Sequence, residues 1–157
     1  MKHVTLCLPV NHDQLLLGMK KTGFGAGNYN GFGGKKEETD PSIEDAALRE
    51  LTEEVGLCAT HDALQKVGEL TFLFPSVPED KNWNQVVHVY LIKTWTGTPR
   101  ETNEMRPVWV SLAQIPYDKM WEADRYWLPL VLQGKYVTAK FVYSEDKKLV
   151  EKGVIVT

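Results

Sequence analysis

Short apolar runs separated by turn-forming residues cover most of this chain, a pattern that predicts many strands and few helices. The first two runs, Val4 to Val10 and Gln14 to Met19, flank the turn-forming sequence Asn11-His12-Asp13 and predict a β-hairpin. Later apolar runs predict five further strands: Val67 to Phe74, Val86 to Trp95, Val108 to Val110, Val137 to Tyr143 and Leu149 to Val156. The polar stretch Pro75 to Gln85 predicts a loop between the first two of these.

Apolar residues at helical spacing predict the clearest helix just after residue 40. The stripe recurs every four residues: Ile43, Ala47, Leu51 and Val55. Asp40 is the predicted N-cap, with Pro41 at the first helical position. Gly56 stands where a helix-terminating glycine is expected.

Two weaker helical signals lie in the C-terminal half. Tyr126 to Gln133 predicts a second helix with Pro129 in its first turn, and Ser111 to Pro116 predicts one helical turn. Because strands outnumber helices too heavily for a βαβ repeat, we expect an α+β fold, a mixed sheet with helices packed on it. The 157 residues fit a single domain, residues 1–157.

The net charge of −3 conceals a segregation of charge along the chain. Residues 37–54 carry eight acidic residues and one arginine, a local charge of −7, while the rest of the chain sums to +4. A net negative protein lacks the overall basic field with which nucleic-acid-binding proteins attract phosphate backbones. We therefore expect no direct nucleic-acid binding.

Cysteine content and hydropathy together predict a cytoplasmic protein. Cys7 and Cys58 are too few for a disulfide framework. The N-terminal residues lack the apolar core of a secretory signal, and no run approaches the ~18 apolar residues of a membrane span. We therefore also expect no membrane association.

Three acids of the predicted helix, Glu50, Glu53 and Glu54, fall on one face, which overlaps the edge of the apolar stripe. Like charges at these spacings each cost ~0.2–0.5 kcal/mol, and a carboxylate at the stripe edge loses hydration. A divalent cation such as Mg²⁺, which prefers oxygen ligands and keeps waters for substrate phosphates, removes these costs. The alternative is a solvated acidic face in which Arg49 pairs with Asp45 and Glu53.

A glycine-rich loop precedes this helix. Six of the twelve residues from Gly23 to Gly34 are glycine, and their backbone N–H groups can bind phosphate oxygens. The loop is flanked by four lysines: Lys20, Lys21, Lys35 and Lys36. It matches neither the Walker A loop nor the dinucleotide-binding fingerprint. The alternative is a flexible loop whose glycines only satisfy turns.

The segment Arg49-Glu50-Leu51-Thr52-Glu53-Glu54-Val55-Gly56-Leu57 resembles the second half of the Nudix box, G-x5-E-x7-R-E-U-x-E-E-x-G-U, where U is apolar. The first half departs from the pattern, because one extra residue separates Gly34 from Arg49. The central glutamate position is therefore open among Glu37, Glu38 and Asp40. The resemblance implies the Nudix fold, an α-β-α sandwich with a mixed central sheet and flanking helices.

Further segments resemble the mammalian branch of MutT-type Nudix enzymes, which hydrolyse oxidised purine nucleoside triphosphates. These segments are Leu15 to Lys21, the loop through Gly34-Lys35, Glu104 to Pro107, Ile115 to Trp121 and Tyr126 to Pro129. Similarity extends from about Thr5 to Tyr143, which is most of the chain.

This resemblance implies roles for individual residues. The implied catalytic set is Arg49, Glu50, Glu53 and Glu54. The implied ligands of Mg²⁺, with Mn²⁺ as an alternative ion, are the carbonyl of Gly33 and the side chains of Glu50, Glu53, Glu54 and Glu104. The implied base pocket consists of Thr5, Phe24, Phe72, Phe74, Trp121 and Tyr143, with Asn30 hydrogen-bonding the purine edge. Lys20 is implied near the sugar and phosphates, and the remaining substrate-binding residues are Phe32, Gly33, Gly34, Lys35 and Asp124.

Base recognition is expected to differ from that branch at one position. The family members have two adjacent aspartates after the tryptophan, whereas this chain has Glu122, Ala123 and Asp124. Two close carboxylates can share a proton and so present a donor and an acceptor together, which one aspartate does less flexibly. We therefore expect this protein to accept a narrower range of oxidised bases than the mammalian branch does. We also expect Trp83, in the loop Pro75 to Gln85, to cover the pocket.

The function implied is a Mg²⁺-dependent pyrophosphohydrolase that cleaves oxidised purine nucleoside triphosphates, such as 8-oxo-dGTP, to the monophosphate and pyrophosphate. Such an enzyme keeps damaged bases out of DNA, and we expect it to act as a monomer. One alternative is a Nudix hydrolase of ADP-ribose or a dinucleoside polyphosphate. Another is a nucleotide-binding module without catalysis, against which the intact glutamates argue.

Overall fold

The computed structural model describes residues 1–157 as a mixed sheet with two α-helices. The strands are β1 (Lys2–Asn11), β2 (Gln14–Lys20), β3 (Tyr29–Asn30), β4 (Leu64–Leu73), β5 (Gln85–Ile92), β6 (Met105–Ser111), β7 (Val137–Tyr143) and β8 (Leu149–Val156). The helices are α1 (Ile43–Val55) and α2 (Asp124–Leu132). Single turns of 3₁₀ helix span His61–Ala63, Glu79–Lys81 and Tyr117–Lys119. The α+β class with a mixed sheet is thus confirmed.

The sheet runs in the order β3-β2-β1-β5-β4-β7-β8. Strand β6 lies outside this order and pairs with β2. The pairs β1–β5 and β4–β7 are parallel, while the other pairs are antiparallel. The predicted hairpin forms between β1 and β2, with Asn11 opposite Gln14. His12 in its turn adopts a left-handed backbone conformation, φ +54°.

A hydrophobic core lies on each face of the sheet, because side chains of β1 and β5 alternate between the two faces. Cys7 and Tyr90 belong to the core under α1, whereas Leu8 and Val89 belong to the core under α2. Helix α1 packs on β1 and β6, and α2 packs on β7 and β8. The helices therefore cover opposite faces, which confirms the α-β-α sandwich. Neither helix is both long enough and apolar enough to span a membrane.

The start of α1 differs from the prediction. Its N-cap is Ser42, whose hydroxyl oxygen accepts a hydrogen bond from the backbone N–H of Asp45 at 3.1 Å, so the helix begins at Ile43 rather than at Pro41. Asp40 instead accepts from the backbone N–H of Glu37. The predicted end is confirmed, because Gly56 adopts φ +77° and its N–H donates to the carbonyl of Thr52.

Two other helical predictions were wrong in detail. Ser111 to Pro116 forms no helix; its first residues make a hydrogen-bonded turn, and the 3₁₀ turn follows at Tyr117–Lys119. Helix α2 begins two residues earlier than predicted, so Pro129 lies inside it rather than in its first turn. Strand β4 also begins three residues earlier than predicted.

Candidate active site

A cavity of about 280 Å³ opens between the sheet face that carries α2 and the glycine-rich loop. Eleven of the thirteen predicted substrate-binding residues line it: Thr5, Lys20, Phe24, Asn30, Gly33, Gly34, Lys35, Phe72, Phe74, Trp121 and Asp124. Glu54 of α1 also reaches this cavity. The fold therefore brings the aromatic residues, the lysines and the acidic helix to one place.

Phe32 and Tyr143 were predicted to contact substrate but do not line the cavity. Phe32 is fully buried in the core under α1, on the other face of the sheet. Tyr143 is fully buried behind the aromatic wall, which is the side of the cavity formed by Phe24, Phe74 and Trp121. Its ring centroid lies 5.6 Å from that of Phe74. Its hydroxyl oxygen accepts a hydrogen bond from the backbone N–H of Ala123. Tyr143 thus supports the wall from behind.

Aromatic rings form one side of the cavity. Phe24 stacks on Trp121 with centroids 5.1 Å apart, and Trp83 contacts Phe24 at 5.0 Å and Phe74 at 5.3 Å. Trp83 does not itself line the cavity, so it packs against the outside of this wall rather than covering the pocket. Stacked aromatic rings of this kind are a suitable surface for a planar base.

One carboxyl group reaches the cavity from the segment after Trp121. Asp124 is buried, and its Oδ1 accepts a hydrogen bond from the indole N–H of Trp127 at 3.0 Å. Burial raises the pKa of Asp124 to about 7. Ala123 is fully buried outside the cavity, and Glu122 turns away to accept from the backbone N–H of Leu149. The structure thus presents a single acid here rather than a pair.

Three lysines line the cavity: Lys2, Lys20 and Lys35. Burial lowers the pKa of Lys2, and the neighbouring charges of Lys35 and Lys20 lower it further. None of the three lies in an ion pair, so their charge is available to an anion. No sequence motif identified Lys2 as a cavity residue. The alternation of strand β1 could have done so, because Lys2 points to the same face of the sheet as Val4 and Leu6, which also line the cavity.

The end of the glycine-rich loop lies against β1 and α1 too closely for side chains. A Cβ atom on Gly33 would lie 1.7 Å from the carbonyl oxygen of Thr5, and one on Gly34 would lie 2.6 Å from the carboxylate of Glu50. The N–H of Gly33 donates to Oε1 of Glu54 at 2.6 Å. The hydroxyl of Thr5 is hydrogen-bonded to the backbone of Gly34, which fixes the loop to the sheet. Glycine is required at Gly33 by the close approach of its backbone to the backbone of Thr5.

The acids of α1 differ sharply in environment. Glu54 is 5% exposed, and burial raises its pKa to about 8, with smaller contributions from the charges of Glu50 and Glu104. Burial also raises the pKa of Glu50, and Glu53 and Glu104 add to this effect, while Arg49 opposes it. Glu53 is exposed over about half of its side chain. The predicted acidic face is thus desolvated at two of its three members.

Arg49 organises this acidic region. It donates to both carboxylate oxygens of Asp40, at 2.9 and 2.8 Å, and also to Glu50 at 3.0 Å and Glu53 at 3.1 Å. Asp40 is therefore the acid that pairs with the arginine of the box, although one extra residue separates Gly34 from Arg49. The predicted alternative pair of Arg49 with Asp45 does not form, since Asp45 binds Ser42 and His61 instead.

The acidic side chains around the cavity fit a divalent cation by their chemistry, although they do not yet converge on one point. No three acidic, histidine or cysteine side chains converge closely enough to hold an ion in this arrangement, because Arg49 holds the carboxylates of Glu50 and Glu53. However, the buried acid Glu54 and the half-buried acid Glu50 repel each other and Glu104. Glu54 also reaches a cavity lined by lysines. Mutually repelling, desolvated oxygen donors fit a hard cation such as Mg²⁺.

Comparison with known proteins identifies the family to which this chain belongs. Residues 1–131 match the family model described as a NUDIX domain. The chain belongs to the Nudix family.

Two relatives are similar over most of the chain. The chain is 46% identical to a Mus musculus protein over 142 aligned residues, and these make up 90% of this chain and 86% of the relative. It is 44% identical over 150 residues to a Danio rerio protein, covering 96% and 92%. Both relatives are named oxidized purine nucleoside triphosphate hydrolase.

Solved structures agree with this fold. The MutT protein from Bacillus halodurans superposes with a TM-score of 0.83 at 23% identity, covering 98% of this chain and 97% of that one. A bifunctional NMN adenylyltransferase/ADP ribose pyrophosphatase from Francisella tularensis, complexed with AMP and a manganese ion, gives a TM-score of 0.63 at 24% identity. It covers 85% of this chain and 41% of that one. These likenesses confirm the Nudix fold.

Proposed function

We propose that this protein is a Mg²⁺-dependent pyrophosphohydrolase that cleaves oxidised purine nucleoside triphosphates, such as 8-oxo-dGTP, to the monophosphate and pyrophosphate. The observation that carries the proposal is the cavity, which joins an aromatic wall to three unpaired lysines and to Glu54 of α1, the Nudix helix. The names of the mouse and zebrafish relatives support the same substrate class.

The base and the phosphates use different parts of the cavity. The purine stacks on the aromatic wall around Trp121, while Asn30 and Asp124 supply polar groups for its edges. The polyphosphate chain lies against Lys2, Lys20 and Lys35, whose positive charges attract it. Asp124 is neutral below about pH 7, so in that range it donates a hydrogen bond as well as accepting one.

The acids of α1, with Glu104, would hold the metal and would position the attacking water. Glu50, Glu53, Glu54 and Glu104, with the carbonyl of Gly33, are the residues that would hold Mg²⁺ or Mn²⁺. A bound divalent cation neutralises phosphate charge and lowers the pKa of bound water. Glu54 or Glu53 orients the water that attacks the polyphosphate, and Arg49 fixes the positions of Glu50 and Glu53.

A substrate panel tests the proposal. The protein is incubated with Mg²⁺ and 8-oxo-dGTP, dGTP, dATP, ADP-ribose and a dinucleoside polyphosphate, and phosphate-containing products are followed over time. We expect pyrophosphate and 8-oxo-dGMP to form fastest. Turnover confined to ADP-ribose or the dinucleoside polyphosphate would instead identify a different Nudix substrate, and binding without turnover would identify a nucleotide-binding module.

The setting of the enzyme is part of the proposal. We place it in the cytoplasm as a single-domain monomer spanning residues 1–157, with no direct contact to nucleic acid or membrane. The net charge of −3 and the two unpaired cysteines support this setting. Sedimentation analysis of the purified chain tests the monomeric state, and a dimeric mass would contradict it.

A further inference from the structure

Gln85 is a polar residue of the cavity for which neither the Nudix box nor the segments that resemble MutT-type enzymes supply a role. It is the first residue of β5 and is half-buried. It is paired directly with Lys2 of β1 and with Phe72 of β4, and all three residues line the cavity. Because paired residues in adjacent strands point to the same face of a sheet, they form one row. Gln85 therefore lies between Lys2 on one side and Phe72 on the other.

The amide of Gln85 is available to a ligand. Two other polar groups of the cavity already have partners in the protein, since the hydroxyl of Thr5 is bonded to Gly34 and Asp124 accepts from Trp127. The side chains of Gln85 and Asn30 form no such bond within the protein. An amide carries one acceptor oxygen beside two N–H donors, at any pH.

This donor–acceptor pair matches the chemical change that oxidation makes in a purine. Oxidation at C8 converts N7 from an acceptor into an N–H donor and adds a carbonyl acceptor at C8. A glutamine amide can pair with both groups at once, in the same side-by-side manner in which it pairs with an adenine edge. An unoxidised purine has C–H at position 8 and offers the amide one bond at most.

We propose that Gln85 is a specificity-determining residue whose amide hydrogen-bonds the N7–H and C8=O edge of an oxidised purine. The assignment rests on the proposed function and deepens it, because it names the group that distinguishes the damaged base from the normal one. Asn30 and Asp124 then serve the six-membered ring of the base.

The test compares Gln85→Met, which keeps length and shape but removes both hydrogen bonds, with the matched control Gln65→Met on the exposed side of β4. kcat/KM is measured for 8-oxo-dGTP and dGTP, and the affinity for 8-oxo-dGMP is followed by tryptophan fluorescence. A bidentate base contact predicts a loss of about fivefold or more with 8-oxo-dGTP and 8-oxo-dGMP. The loss on dGTP should be smaller than the loss on 8-oxo-dGTP, because dGTP offers the amide one bond at most. All values for Gln65→Met should stay within about twofold of the wild type.

Each outcome bears on the assignment. An equal loss on both triphosphates, which leaves the ratio of their kcat/KM values unchanged, would overturn it. Gln85→Glu is a second variant that keeps the acceptor and loses the donor, so it should also be less selective than the wild type; wild-type selectivity in that variant would overturn the assignment. A wild-type protein without preference for 8-oxo-dGTP overturns the proposed function, whereas a selective wild type with a selective Gln85→Met overturns only the role of Gln85.

Discussion

Arg49 donates four hydrogen bonds to the carboxylates of three residues, and the strongest of these partnerships is with Asp40. Both carboxylate oxygens of Asp40 face the guanidinium, which holds the pKa of Asp40 at about 2. The planar, two-pronged contact fixes the orientation of the guanidinium, whose remaining N–H groups then position Glu50 and Glu53. A residue outside the helix thus controls the geometry of acids within it.

Asp40→Asn should lower activity by loosening this arrangement. Residues that orient catalytic or metal-binding groups typically contribute 10–100-fold, so we expect kcat/KM for 8-oxo-dGTP to fall about tenfold or more. The matched control is Glu38→Gln, which removes an exposed acid of the same turn. If the two variants have equal activity in the pyrophosphate assay, Asp40 does not hold Arg49 in the way described.

Asp124 is the clearest case of a residue whose ionisation couples to folding. Its pKa in the folded protein is about 7, against a reference value of 3.8, so the folded state binds the proton more tightly than the unfolded chain does. Between about pH 4 and pH 7 the unfolded chain is ionised here while the folded protein stays neutral. The contribution of Asp124 to the free energy of unfolding is therefore full below about pH 4 and is lost as pH rises through this window.

Asp124→Asn should remove this pH dependence. A shift of about three pKa units corresponds to a loss on the order of 4 kcal/mol in the free energy of unfolding between pH 4 and pH 7. Urea unfolding at several pH values measures it, and the wild type should lose more stability across the window than the variant. Parallel curves for the two proteins would show that Asp124 ionises normally in the folded state.

The residues at the two ends of helix α1 determine its extent as much as its apolar stripe does. Ser42 caps the first turn, and Gly56 ends the helix with a left-handed backbone. Both Asp40 and Ser42 are residue types that cap helices, so local sequence does not distinguish them. The choice is made by Arg49, nine residues further along, which takes the carboxylate of Asp40.

Ser42→Ala should destabilise the protein through the first turn of α1. Losing an N-cap hydroxyl typically costs ~1 kcal/mol, which urea unfolding at neutral pH resolves. Thr39→Ala, three residues earlier and exposed, should be close to neutral by comparison. Equal stability of the two variants would mean that the hydroxyl of Ser42 does not cap the helix.

Elements with a strong local pattern were predictable from sequence. The hairpin, β7, β8 and the end of α1 follow from apolar runs, turn residues and a terminating glycine. The cavity residues were predictable only through the family resemblance, since Phe72 and Trp121 are far apart in the chain. Phe32 was misplaced because its neighbours in the glycine-rich loop gave no indication that its ring turns to the opposite face of the sheet.

The whole molecule has a charge distribution that sequence already indicated. Eight acids between residues 37 and 54 lie in and just before the Nudix helix, and three lysines without acidic partners line the adjoining cavity. A protein of net charge −3 that binds a polyphosphate needs positive charge between its own acids and the substrate. Lysines and a divalent cation provide it, so activity should depend on the metal and on the buried acid Glu54.

The most direct test of this account measures pyrophosphate release from 8-oxo-dGTP against Mg²⁺ concentration for the wild type and Glu54→Gln. The amide oxygen that this substitution introduces can still accept from the N–H of Gly33, so the variant should fold normally and unfold at a similar urea concentration. We predict Mg²⁺-dependent release by the wild type, abolished by a chelator, and a loss of about 10² to 10⁴ in kcat for the variant. Wild-type turnover by Glu54→Gln, or release without Mg²⁺, would contradict the account.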